Sequence, residues 1–158
     1  MFKVGDRVVY PHHGAAVIES TEVLDALGDA TEFLVLRTTH GELTLKIPSA
    51  KAEEIGLRYP ISEEDVEDVF DLLGRRNVRE PANWSRRFKN HQEKLKSGDI
   101  YQVAEVVRNL ALRDVDKGLS AGEKSMYTKA RQVLVSELAF SLEIAEEVAN
   151  DRLDAALA

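Results

Sequence analysis

Two spacings of apolar residues divide the chain. Up to about residue 52 short apolar stretches alternate with turn formers. "DRVVYPH", "GAAVIESTEVL", "TEFLVLRTTH" and "GELTLKIPS" are rich in Val, Ile, Leu, Thr and aromatics and are separated by Gly14, "LGDA" and the His40-Gly41 pair, a composition that fits pleated strands. In the last stretch Leu43, Leu45 and Ile47 alternate with Thr44 and Lys46, which puts three apolar side chains on one sheet face. Strands this short and close predict a small curled barrel. Pro11 marks an edge or a bend in the first, because proline has no N–H to give to a ladder.

After Pro60 the apolar spacing lengthens to three and four. Ser62 precedes Glu63, Glu64 and Asp65, an N-cap followed by first-turn acids, and Val66, Val69, Phe70 and Leu73 line one helical face until Gly74. A second helix is predicted from about Asn83 to Ser97, with Gly98 as its stop. Asp99 caps a third, in which Ile100, Val103, Val107 and Leu110 share a face up to Lys117-Gly118. Ser120 with Glu123 forms a capping box for a fourth, carrying Met126, Ala130, Val133 and Leu134. Ser141 is expected to cap a last, acidic helix through Ala145, Val148 and Leu153. The domains expected are 1–52 and 61–158, joined by a linker at 53–60.

The 158 residues are 44% apolar and 31% charged, the balance of a folded soluble chain rather than a disordered one. There are no cysteines, which excludes disulfides, thiolate catalysis and cysteine-based zinc sites. No stretch approaches the run of about 20 apolar residues that a membrane span needs, and none near the N-terminus resembles a signal peptide, so a cytoplasmic protein is expected. The sequence lacks a Gly-x-Ser-x-Gly elbow, a phosphate-binding loop and a dinucleotide fingerprint. His12 and His13, adjacent on an extended stretch, point to opposite sides and cannot readily chelate one ion. Neither an enzyme nor a cofactor or metal site is expected.

The net charge of -7 hides an uneven distribution. From Trp84 to Arg131 eleven cations face six anions, whereas from Gln132 to Ala158 Arg152 stands against six acids. A phosphate backbone meets the local field, so an acidic total does not exclude nucleic acid. The stretch "PANWSRRFKNHQEKLKSGD" holds the only tryptophan, Trp84, among Arg86, Arg87, Lys89, Lys94 and Lys96. Trp84, Phe88, His91 and Leu95 fall at i, i+4, i+7 and i+11, the stripe of a helix packed on a core. Trp84 also sits in the first turn, where a side chain can project past a bundle, and a bulky ring flanked by cations is the pairing that minor-groove wedges use. Spacing alone leaves both open. Lys124 and Lys129 extend the basic patch only if tertiary packing brings them to Trp84.

"FKVGDRVVYPHHGAAVI" resembles the opening strands of the bacterial CarD/CdnL transcription regulators, whose N-terminal domain is similar to the polymerase-interacting domain of the transcription-repair coupling factor. "EPANWSRRFKNHQEKLKSGD", "VAEVVRNL" and "GLSAGEKSMYTKARQVLVSELA" resemble the helical domain of the same family. The fold class expected is α+β, a small N-terminal Tudor/SH3-like β-barrel followed by an all-α C-terminal helical domain. The resemblance implies a non-enzymatic factor, acting as a monomer, that docks on the RNA polymerase β subunit by sheet-edge pairing near Leu24 and Lys46. It implies that Trp84 enters the minor groove of promoter double-stranded DNA at the upstream bubble edge, with Arg86, Arg87, Lys89 and Lys124 as DNA-binding cations. Binding to DNA alone is expected to be weak, and a sigma factor is a further candidate contact. Such a protein would be nucleoid-associated. Where relatives carry arginine, this chain has Leu24 beside Asp25 and Lys46 in place of a bidentate fork. Two other readings remain: an autonomous helix-turn-helix regulator using the helices at Asp99 to Lys117 and Ser120 to Ala139, and a protein-binding adaptor with a solvated basic face.

Overall fold

The computed structural model describes residues 1–26, 28–40 and 42–158. The predicted turns at Leu27 and Gly41 lie outside the described residues. Four antiparallel strands, β1 (Arg7–Tyr10), β2 (Gly14–Ala26), β3 (Asp29–Thr38) and β4 (Thr44–Pro48), run as a meander in the order β1-β2-β3-β4. The sheet curls into a half-barrel. The alternation read in the sequence sets its inner face, because Leu34 pairs with Ile47 and Leu36 with Leu45, and these meet Val8, Ala16, Ile18, Ala52 and Leu57 in one apolar cluster. Leu43 precedes the strand and is exposed. A register shift between Ile18 and Ser20 sharpens the bend of β2.

The stretch 53–60, expected as the linker, packs on the half-barrel. After a tight turn at Ser49–Lys51, helix α1 (Ala52–Ile55) leads to Leu57, which is buried in the sheet's core. Arg58 then pairs with the outer edge of β1, its carbonyl accepting from Val9 N at 2.7 Å and its N–H donating to Val9 O at 3.2 Å.

Five further helices follow: α2 (Glu63–Leu73), α3 (Trp84–Lys96), α4 (Ile100–Asp116), α5 (Ala121–Leu142) and α6 (Glu146–Leu157). Ser62, Asn83 and Asp99 accept from Asp65 N, Arg86 N and Tyr101 N, and the Ser120–Glu123 capping box is complete. Ser141 does not cap the last helix. It lies inside α5, which continues to Leu142 and ends where Glu143 turns left-handed at φ 54°, and α6 starts after Ala145 with no side-chain cap. Helix α5 is the axis of the bundle, its residues Ala130, Leu134 and Leu138 fully covered by neighbours from α2, α4 and α6.

The half-barrel packs directly on α5. Ala15 N donates to the buried Ser136 Oγ at 3.0 Å, and the Arg7 guanidinium lies 5.1 Å from the centre of the Phe140 ring. Gly14 allows this approach: its φ is +81°, and a Cβ there would stand 2.7 Å from Ser136 Oγ and 3.2 Å from the Val133 Cα. Arg58 reaches across to Glu137 with two bonds of 2.7 Å. Among the described residues no helix is long and apolar enough to cross a membrane.

Candidate nucleic-acid interface

The site grows from the first turn of α3. Extended residues before it carry Asn83 into the cap position, where its side chain accepts from Arg86 N at 3.0 Å. The stripe beginning at Trp84 runs from surface to core along the helix: Leu95 and His91 are buried, Phe88 is half-buried, and Trp84 is 44% exposed. The indole stacks on Phe88 with centroids 4.8 Å apart and planes 15° from parallel. Phe88, read in sequence as a core position, is thus the base on which the exposed ring rests.

Tertiary packing brings α5 to the same place. A Cβ on Gly122 would lie 3.5 Å from Phe88 Cε1 and 4.0 Å from Trp84 Cζ2, so the first turns of α3 and α5 are neighbours. Lys124 follows Gly122 by two residues in the first turn of α5. Arg86, Lys89 and Lys124 are exposed, and among the described residues none of the three is in an ion pair. The positive ends of two helix dipoles add to the field there.

Two cations counted with this patch do not belong to its free surface. Lys94 is held by Glu105 at 2.7 Å. Arg87 is only 2% exposed and faces inward, with Nε 3.6 Å from Glu123 Oε2 and 3.9 Å from Glu80 Oε2. Its Nη1 donates to the carbonyls of Pro81 and Ala82, both at 3.4 Å. The physical reason is helical spacing: position 87 lies at i+3 from 84 and i−4 from 91, on the stripe that faces the bundle.

Around Arg87 lies a buried polar cluster that sequence reading did not find. His91 Nε2 is 2.9 Å from Glu80 Oε1, and Arg113 Nε is 3.6 Å from Glu123 Oε2. Burial works to raise the Glu80 carboxyl, but the His91 contact, its charge and that of Arg87 outweigh it and hold the group below its ordinary value. Glu123 behaves alike: burial opposes ionisation, and the Ser120 N–H and hydroxyl, the Trp84 indole N–H and the Arg87 charge hold it low. The signal for Glu123 was legible only as half of a capping box.

In the sheet, β2 and β3 outrun their neighbours. The register of β1 ends at Val17 on β2, and that of β4 ends at Phe33 on β3, so the hairpin beyond them presents unpaired edges. Leu24 is exposed there. Lys46 is exposed on β4, its ammonium 2.9 Å from Glu22, and the period of two puts Glu22 and Leu24 on one face of β2. Leu24 and Lys46 thereby lie on one face of the sheet, remote in sequence from Trp84. His12 and His13 lie in the turn after β1, His13 edge-on to Tyr10. Burial first, then the charges of Lys129 and His12, lower the His13 pKa. Among the described residues no group of three or more metal-ligating side chains is assembled.

Residues 2–59 match the family model described as the CarD-like/TRCF RID domain, and residues 68–154 match that of the CarD C-terminal domain. The chain is 33% identical over 138 residues to "Putative transcription factor YdeB" of Bacillus subtilis (strain 168), an alignment that covers 87% of this chain and 90% of that protein.

Proposed function

Because this chain belongs to the CarD-like family of transcription factors, we propose that it joins RNA polymerase to promoter DNA and stabilises the open promoter complex. In this reading the half-barrel docks on the polymerase β subunit through the free edge of the β2–β3 hairpin, with Leu24 and Lys46 on the docking face. The helical domain sets Trp84 into the minor groove at the upstream edge of the bubble, and Arg86, Lys89 and Lys124 hold the flanking phosphates. Binding that favours the melted promoter over the closed one shifts the population toward it, and no covalent step is needed.

One observation carries this reading: Trp84 is 44% exposed and stacked on Phe88, on a helix whose Arg86 and Lys89 are exposed and have no ion-pair partner among the described residues. An exposed indole is the opposite of what a purely protein-binding adaptor with a core tryptophan requires. The test is the lifetime of the open complex after addition of a competitor. Trp84→Ala is expected to shorten it by roughly tenfold while leaving polymerase binding intact, as loss of one base-stacking ring is worth about 1–3 kcal/mol. An unchanged lifetime at matched salt refutes the wedge.

A further inference from the structure

We propose that Arg87 is a positioning residue for the Trp84 wedge, acting through Glu80 and Glu123, and that it makes no contact with DNA. This inference rests on the wedge reading above. Arg87 is the member of the basic run that a groove cannot reach, being 2% exposed. Its two carboxylate neighbours come from the two segments that frame the indole. Glu80 stands four residues before Trp84 on the extended stretch that leads into α3, and Glu123 follows Gly122, against which the Trp84–Phe88 stack is packed.

A single guanidinium therefore ties the entry segment, α3 and the first turn of α5, and those three elements decide where the ring points. The tie extends on both sides. His91 holds the other oxygen of Glu80 at 2.9 Å, and Arg113 of α4 stands 3.6 Å from the Glu123 oxygen that Arg87 approaches. The guanidinium is not held in a saturated lattice of short bonds, because its Nε and Nη2 lack hydrogen-bond partners. What it supplies is charge between the buried Glu123 and the half-buried Glu80, on a planar fork. Lysine retains the charge and loses the shape.

The experiment uses the full chain with RNA polymerase on promoter DNA, and measures open-complex lifetime across a salt series. Arg87→Lys is compared in the natural and the Trp84→Ala backgrounds, with Arg86→Ala as the model of a direct phosphate contact. A positioning role predicts a lifetime shortened roughly three- to tenfold in the natural background and no further loss in the Trp84→Ala background. Trp84 emission and its quenching by acrylamide, read on the free protein, are expected to shift in Arg87→Lys. A direct contact would give the same loss in both backgrounds, and that outcome overturns the proposal. So does a natural lifetime with unshifted emission. If Arg87→Lys does not fold, Glu123→Gln examines the same tie from its other side, with the same expectations. Should Trp84→Ala itself leave the lifetime unchanged, the wedge fails, and the emission of Arg87→Lys still reports whether Arg87 sets the ring.

Discussion

The Arg58–Glu137 bridge between the half-barrel and the helical bundle makes an asymmetric prediction. The Glu137 side chain is 1% exposed and that of Arg58 30%. Glu137 accepts two bonds of 2.7 Å from Arg58 and one of 2.9 Å from Ile61 N. Arg58 also donates to Gly98 O at 3.0 Å and Tyr59 O at 3.1 Å. Removing Arg58 leaves a carboxylate with no access to water and a single N–H, the situation that costs about 3–5 kcal/mol. Glu137→Gln keeps the shape and one acceptor, and leaves a guanidinium that retains its carbonyl partners and part of its hydration, so its cost is set near 2 kcal/mol. Arg58→Met/Glu137→Leu removes both charges and is expected to be less destabilised than Arg58→Met alone. Equilibrium urea denaturation followed by circular dichroism measures all three. The reasoning is refuted if Arg58→Met costs no more than Glu137→Gln, or if both stay below about 0.5 kcal/mol, as an exposed pair would.

Two further outcomes follow from the site. Glu80 and Glu123 are both held below the ordinary glutamate value of 4.5, so the unfolded chain takes up protons first as the solution is acidified. Their stabilisation is complete above about pH 4.5 and is lost as pH falls below it through the lower folded values. Urea midpoints at pH 6 and pH 3.5 should therefore differ less for Glu123→Gln than for the natural protein, and an equal difference contradicts the assignment. Lys89→Ala is expected to lower the salt slope of DNA binding by about one, as loss of a single phosphate contact does. Lys94→Ala should leave that slope alone, because Glu105 already holds its ammonium at 2.7 Å; anisotropy of a labelled duplex across a salt series separates the two.

Local chemistry made most of the elements readable, and tertiary packing decided the rest. The caps at Ser62, Asp99 and Ser120 lie in the sequence because each needs only a side chain and a nearby N–H. Ser141 carried the same local signal and failed, since the apolar residues around it keep α5 going to Leu142. Gly14, Arg58 and Glu137 gave no local sign of their roles: a glycine after two histidines, an arginine in a supposed linker and a glutamate on a long helix become a domain contact only when α5 meets the sheet.

Arg86 and Arg87 carry the sharper lesson. Consecutive helical residues are about 100° apart, so two neighbouring arginines fall on different sides of α3. Adding position 87 to the stripe of 84, 88, 91 and 95 gives the i, i+3, i+4, i+7 pattern of a buried face, and the sequence thus contained the reason to place Arg87 inside. Counting charge along the chain hid it. The exposed face of α3 is consequently less positive than the run suggests, because Arg87 is buried and Lys94 is held by Glu105. On the proposed wedge reading, a ring seated where the first turns of α3 and α5 meet would inherit the stability of that junction, which makes Glu80, Glu123 and Arg87 relevant to its position.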